Sequence, residues 1–117
     1  MINYDGRRFS PAPAAPGPAV VADYHQQQDL IWAEFSGGEV RRGSLAGTSA
    51  PDGELRFAYC MVLASGEPVT GICRSVPQVL TDGRIRLTEH WERFGDGADS
   101  GISILEELPH GMPNHVE

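Results

Sequence analysis

The stretch RIRLTEHWERF, residues 84–94, places a carboxylate in a row of large hydrophobic side chains. In a half-buried strand successive side chains point to opposite faces, so Ile85, Leu87, Glu89 and Trp91 share one face. We expect that face to be the inside of the protein. A carboxylate there needs a partner, a proton or a ligand, because burying an unpaired charge is costly. Glu89 is therefore the first candidate for a functional residue.

Hairpin turns extend this argument from one strand to its neighbours, because a two-residue turn determines which residues face each other. Turns of this kind are predicted at Gln27-Gln28, at Gly37-Gly38, within 50–53, at Ser65-Gly66 and at Asp82-Gly83. A longer loop at 95–100 is predicted to set Glu89 opposite Glu106, with a register one residue away as the alternative for a loop of this length. Together these registers put the hydrophobic residues on one common face. The polar residues predicted on that inner face are Tyr24, Arg42, Ser44, Tyr59, Arg74, Glu89 and Glu106.

Glu89 and Glu106 are the candidate catalytic residues. Two facing carboxylates repel each other, so one pKa should rise unless an arginine intervenes, and split pKa values assign acid and base roles. Arg74 is predicted diagonal to Glu89, where it could also stack on Trp91. The interior is then a pocket, or else a buried ion-pair network that only fixes the register. The candidate ligand-binding residues are Tyr24, Arg42, Ser44, Tyr59, Arg74 and Trp91.

Histidine and cysteine residues suggest two further sites, and the strand pattern argues against both. Glu89 and His90 are adjacent, so they point to opposite faces and cannot share a metal ion without a bulge. Adding His25 and Glu92 to this set of possible ligands does not bring Glu89 and His90 to one face. We therefore expect neither a metal nor a cofactor. Cys73 and His90 are both predicted on the outer face, where Cys73 would be a plain surface thiol rather than a nucleophile.

The outer face is also predicted to carry a smooth apolar patch. Its members are Gly43, Leu45, Ala58, Cys60, Val62, Val69, Gly71 and Cys73. Patches of this kind are typical of an interface between subunits. We therefore expect a homodimer.

Composition excludes several classes of function. The chain has 117 residues, enough for one domain, and a net charge of −7 with nine arginines and no lysine. The absence of lysine excludes a Schiff-base or P-loop lysine, and an acidic chain without a basic stripe argues against nucleic acid. MINYDGRRF lacks an apolar stretch of signal-peptide length, and no run approaches a membrane helix of roughly 20 residues. We expect a cytoplasmic protein with reduced cysteines and no membrane partner.

Turn residues divide the chain into short segments with a period of two, and no window shows a helical stripe. Strands are predicted at 2–9 (bent or split at Asp5-Gly6), 19–26, 30–36, 39–48, 54–63, 68–76 with a bent continuation to about 81, 84–94 and 101–108. Eight antiparallel strands joined by short hairpins predict an all-β, eight-stranded, up-and-down meander barrel, because closure removes both exposed edges. An open sheet packed on itself is the alternative. Residues 1–108 would form a single β-barrel domain with a Pro-rich linker at 11–18, followed by a flexible C-terminal tail at 109–117.

Three segments resemble a known family. AEFSGGEVRRGSLAG from Ala33, GRIRLTEHWERF and GISILEE are similar to short bacterial proteins of unknown function, often labelled N-acetylglutamate synthase-like. The resemblance covers the MINYDGRRF start and nearly all of the chain after Ala19, and it implies a calycin-like barrel similar to lipocalins and avidins. It implies no shared catalytic residues. The Gln/Arg-x-x-Gly-x-Gly/Ala loop of acetyl-CoA-dependent acetyltransferases is missing from the sequence.

Such a barrel is just wide enough to be filled by side chains or to hold one small ligand. We therefore predict small-molecule binding in the barrel interior. The alternative is an enzyme of bacterial secondary metabolism, a cyclase, isomerase or hydratase, that uses an interior glutamate as acid or base. A filled barrel that acts only through its outer surface is the third possibility.

Overall fold

The computed structural model describes residues 2–14 and 17–109, which form a barrel of eight β-strands. The strands are β1 (Arg8–Pro11), β2 (Val21–Gln27), β3 (Leu30–Gly37), β4 (Val40–Ser49), β5 (Leu55–Leu63), β6 (Pro68–Val79), β7 (Ile85–Arg93) and β8 (Asp99–Glu107). This part of the chain contains no helix, and hence none that could cross a membrane. The predicted tail lies mostly outside the described residues.

Each strand pairs with the next one in antiparallel fashion, and β8 returns to pair with β1. The predicted closed, calycin-like meander is confirmed, and the open sheet is excluded. β1 is the strand that differs most, because it begins at Arg8 rather than at residue 2. The preceding residues pack against one end of the barrel, where the buried Tyr4 hydroxyl donates to the Gly53 carbonyl.

The two ends of the barrel differ in how they are filled. We call the end with the β2–β3, β4–β5 and β6–β7 turns the lower end, and the opposite end the upper end. Fully buried side chains fill the lower half; the largest are Tyr4, Phe9, Tyr24, Ile31, Leu55, Ile85 and Leu87. This core determines which face of each strand points inward. From β3 to β8 the inward residues are the odd-numbered ones, except Val40, which precedes an irregularity in β4.

Three hairpin loops are one residue longer than predicted. Their loops are Pro51-Asp52-Gly53, Ala64-Ser65-Gly66 and Thr81-Asp82-Gly83, and each closes with two backbone hydrogen bonds and a glycine at positive φ. This is the three-residue turn with a glycine bulge. A two-residue loop sets odd-numbered residues opposite even-numbered ones, whereas a three-residue loop sets odd opposite odd. The predicted faces of β4 and β6 are therefore wrong, while those of β5 and β7 are right.

Other connections change the register as well. The β2–β3 turn is Gln28-Asp29 rather than the predicted Gln27-Gln28, which shifts the pairing of β2 with β3 by two residues. Because a shift of two keeps each side chain on the same face, Tyr24 stays inside. The β3–β4 turn is Gly38-Glu39, and an irregularity beside it reverses the face of β4. Arg93 pairs with Asp99 across a five-residue loop, which reverses β8.

Candidate functional site

A cavity of about 300 Å³ occupies the upper half of the barrel. Val20, Val40, Met61 and Arg93 line it towards the upper end, and Phe9 and Leu105 line it lower down. Of the fully buried residues named for the lower half, Phe9 and Tyr24 reach the cavity, and the others lie below it. The walls are mostly apolar, as expected of a site that holds a small molecule.

Four aromatic side chains line this cavity without filling it, because each of the four lies across from a glycine. The facing pairs are Phe35 with Gly43, Phe57 with Gly47, Tyr59 with Gly71, and Trp91 with Gly101. At Gly43, Gly71 and Gly101 an added Cβ would overlap the ring of the partner. The rings therefore lie against the barrel wall in space that a side chain would otherwise take, and the lumen stays open.

Glu89 lies deep in this cavity with few polar partners. The Ser75 hydroxyl donates to Glu89 Oε2 at 3.2 Å, and the Cys73 thiol also lies within hydrogen-bonding reach. Burial raises the pKa of Glu89 from 4.5 to about 7, and the hydrogen bonds from Ser75 and Cys73 only partly offset this effect. At neutral pH the carboxyl group can therefore either donate or accept a proton.

The groups around Glu89 are neutral. Tyr24 is 1% exposed, and among the described residues its hydroxyl has no hydrogen-bond partner. Burial, and secondly the Glu89 carboxylate, raise the pKa of Tyr24 well above its ordinary value. The same two causes raise the pKa of the Cys73 thiol to about 12, which makes it a poor nucleophile. An unpaired buried hydroxyl is costly to the fold, so it points to a ligand or a water molecule.

Trp91 and Arg93 form the wall of the cavity towards the upper end. The Trp91 indole Nε1 donates to Ser103 Oγ at 2.9 Å, which fixes the ring. The Arg93 guanidinium carbon lies 5.5 Å from the centre of that ring. The Tyr59 ring lies over Gly71 of β6, and its hydroxyl donates to the Glu92 carbonyl of β7. Arg93 is the one arginine among the described residues that line the cavity.

The structure brings four of the predicted site residues together and separates the other four. Tyr24, Tyr59, Glu89 and Trp91 all line the cavity. The four residues placed inside by the sequence prediction but found on the outer face are Arg42, Ser44, Arg74 and Glu106. Arg74 pairs with Glu54 at 3.1 Å, and Glu106 pairs with Arg86 at 2.7 Å, so neither carries out the predicted role beside Glu89.

Several inward residues were missed from the sequence. Cys73, Ser75, Ser103 and Arg93 contact the cavity or Glu89, and Cys73 is buried rather than a surface thiol. The predicted outer patch is divided between the two faces of the barrel wall. The residues that point inward are Gly43, Leu45, Val69, Gly71 and Cys73, while Ala58, Cys60 and Val62 stay outside. A three-residue turn at 81–83 with its glycine at positive φ would have placed Cys73 and Ser75 inside, whereas Ser103 depends on the length of the β7–β8 loop and Arg93 already shares the inward face of β7.

No group of three or more potential metal ligands occurs in residues 2–14 and 17–109. His25 stacks on Trp32 on the outer face, with ring centres 5.5 Å apart, and lies 3.4 Å from Glu34. His90 also faces outward, away from Glu89. Neither of these two histidines faces the cavity that holds Glu89.

Comparison with known proteins agrees with this geometry. A family model described as avidin-like protein matches residues 2–108, so the chain belongs to the avidin-like family. Searches of curated proteins and of solved structures found no match. Membership is consistent with a barrel that binds small molecules, and the comparisons give no support to the N-acetylglutamate synthase-like label.

Proposed function

We propose that this member of the avidin-like family binds a small, mainly apolar molecule inside its barrel. The observation that carries the proposal is the cavity of about 300 Å³, which is at the small end of ligand-binding pockets. Its walls are aromatic and aliphatic, and the polar groups within it, above all Glu89 and Tyr24, are few. An arrangement of this kind binds through the apolar walls and orients the ligand through the few polar groups.

The test uses N-phenylnaphthylamine, a neutral fluorescent probe of suitable size. We expect saturable binding of one probe per barrel. Leu45 lines the cavity, so Leu45→Trp should fill it and abolish binding, while Ser44→Trp, on the neighbouring outward residue, should leave binding unchanged. Equal binding by both variants would place the probe outside the barrel. Biotin is a second probe, because small ligands of avidin-like proteins include biotin.

A second candidate function is acid–base catalysis in the same cavity by Glu89. The observation that favours it is the pKa of Glu89, about 7, since a general base is most effective when its pKa lies near the working pH. A suitable probe is phenylbutanone in deuterated water, whose protons next to the carbonyl exchange when a base removes them. Catalysed exchange that Glu89→Gln abolishes would support an isomerase or cyclase, and equal exchange by both proteins would argue against one.

Assembly as a cytoplasmic homodimer is a further part of the proposal. Ala46 and Ala58 lie on the outer face in one shallow depression with Ile72 and Ile102, which are 47% and 65% exposed. Arg56, Arg74, His90 and Glu92 line the same depression, and the exposed apolar side chains at its centre support a subunit interface. Sedimentation should show a dimer for the wild type and for Glu39→Arg in the β3–β4 turn, but a folded monomer for Ala58→Arg. A monomeric wild type at micromolar concentration would contradict the proposal.

A further inference from the structure

Glu89 differs from the paired acidic residues of the barrel in having no cationic partner among the described residues. Glu54, Glu106 and Glu107 each form an ion pair with an arginine at 3.1 Å or less, and Asp82 pairs with Arg84 at 2.7 Å. No arginine contributes to the shifted pKa of Glu89. Buried carboxylates in proteins are normally paired, so this one lacks a group that a ligand can supply.

The one arginine lining the cavity does not fill this role. Arg93 lies over the Trp91 ring and acts on the Tyr59 hydroxyl, whose pKa it lowers against the opposing effect of burial. Glu89 lies two residues further from the upper end of β7 than Trp91. The negative and positive groups of the cavity are therefore separated, with the carboxyl group deep and the guanidinium near the mouth.

The surroundings of Glu89 suit a cation with an apolar body. Phe57, Tyr59 and Trp91 present aromatic surface to the cavity, and ring faces attract ammonium groups. The Tyr24 hydroxyl, which has no hydrogen-bond partner in the described part of the chain, offers an oxygen that can accept a second N–H bond. The net charge of −7 also favours the approach of cations over anions.

We infer that the ligand of this cavity is a small organic cation, a protonated amine on an aromatic or aliphatic body, whose N–H groups donate to Glu89 and Tyr24. This inference rests on the proposed binding function and names the chemical class of its ligand. A primary ammonium carries three donors, so it can use the Glu89 carboxylate and the Tyr24 hydroxyl together. The apolar body then fills the space between the aromatic walls.

Binding of such a ligand depends on pH in a defined direction. The titratable groups that face Glu89 are Tyr24 on β2, Tyr59 on β5 and Cys73 on β6, all with raised pKa values and all neutral at neutral pH. The cationic group that faces the same cavity is the Arg93 guanidinium on β7. Glu89 is therefore the group that titrates between acidic and neutral pH, and affinity for the ammonium should rise as its proton is lost.

Three probes with nearly the same body separate the possibilities: phenylbutylamine, phenylbutanol and phenylbutyrate, which are cationic, neutral and anionic at neutral pH. Calorimetric titration should give the tightest binding for the amine. Its affinity should rise about tenfold or more from about pH 5.5 to about pH 8, as expected when a charge-assisted hydrogen bond forms. The affinity for phenylbutanol should stay constant over that range.

The matched variants are Glu89→Gln and Glu92→Gln, which remove the same charge from the inner and outer face of one strand. Glu89→Gln should weaken amine binding about tenfold or more at about pH 8 and abolish its pH dependence, with phenylbutanol unaffected. Glu92→Gln should bind like the wild type. The pH series of the wild type gives the same information without any variant.

Each other result overturns the inference in an identifiable way. Preference for phenylbutanol would leave the binding function standing and exclude a cationic ligand. Preference for phenylbutyrate would assign recognition to Arg93 instead. If the three probes and N-phenylnaphthylamine all fail to bind, the proposed function falls together with the inference.

Discussion

Glu89 and Glu107 both point into the barrel, yet their surroundings differ completely. Glu107 at the lower end is 3% exposed, forms an ion pair with Arg7 at 2.8 Å and accepts the Ile85 backbone N–H at 3.1 Å. Glu89 in the upper half has a hydroxyl and a thiol as partners, and no cation among the described residues. The first carboxylate is part of the structure, while the second is exposed to a cavity.

This difference separates a structural from a functional buried charge. A structural carboxylate is fully hydrogen-bonded, because each unmet bond would cost stability. A functional carboxylate is left incompletely paired so that a ligand can complete its bonds, and the fold is less stable for it. The two glutamates should therefore respond to neutralisation with opposite signs.

The largest effect is expected at Glu107. Glu107→Leu leaves Arg7 and the Ile85 N–H without their partner, and breaking a buried pair in this way costs about 3 to 5 kcal/mol. Chemical denaturation should show this loss. Glu106→Leu is the control, since its pair with Arg86 is partly exposed and should contribute less than about 1 kcal/mol. Similar losses in both variants would remove the distinction between the two kinds of pair.

Glu89→Gln should have the opposite sign and depend on pH. The Glu89 carboxyl group titrates at about 7 in the folded protein and near 4.5 when unfolded, so between these values the folded state binds more protons and stability falls as pH rises. Above about pH 7 the wild type should be less stable than Glu89→Gln by up to about 3 kcal/mol, and below about pH 4.5 this difference should vanish.

Thermal melts of both proteins across the pH range measure this effect. Glu92→Gln is again the control, because Glu92 is exposed on the outer face of the same strand. A stability difference between wild type and Glu89→Gln that does not change with pH would show that the carboxyl group keeps one protonation state throughout.

Gly101→Ala should have an intermediate effect by closing the cavity. The new Cβ would lie 2.5 Å from Trp91 Cζ2, so the indole must move into the lumen and lose its bond to Ser103. Overpacking of this kind costs about 1 to 3 kcal/mol. Binding of N-phenylnaphthylamine should weaken as well. Gly97→Ala in the β7–β8 loop meets no neighbour within 4 Å and should leave both stability and binding unchanged.

The strands could be predicted from sequence because the turn residues between them are unambiguous. Seven of the eight segments lie within two residues of the observed strands at both ends or differ only in a bent extension. β7 was assigned the correct face since its large hydrophobic residues alternate strictly with polar ones. In β8 hydrophobic residues occupy both faces, with Ile102 outside and Leu105 inside, so its pattern could not fix the register.

The candidate site was harder to predict, because it depends on loop length to within one residue. Asp82-Gly83 is compatible with a two-residue turn, but the glycine at positive φ here ends a three-residue loop that begins at Thr81. That one residue moves Arg74 to the outside and Ser75 inside. The prediction of Glu89 as an interior acid survived this error because it rested on the pattern of β7 alone.

The smallest expected effect tests this correction directly. Arg74 is exposed and pairs with Glu54, so Arg74→Leu should cost less than about 1 kcal/mol. The inward Glu89 and the outward Arg74 lie on opposite faces of the barrel wall, so the effects of Arg74→Leu and Glu89→Leu on the free energy of unfolding should add within about 0.5 kcal/mol in the double variant. The control is Arg74→Leu combined with Glu54→Leu, because Arg74 and Glu54 contact each other and their effects need not add. Strong coupling between positions 74 and 89, with a large loss in each single variant and recovery in the double variant, would show that the two residues form a buried structural pair and would remove the basis for a ligand at Glu89.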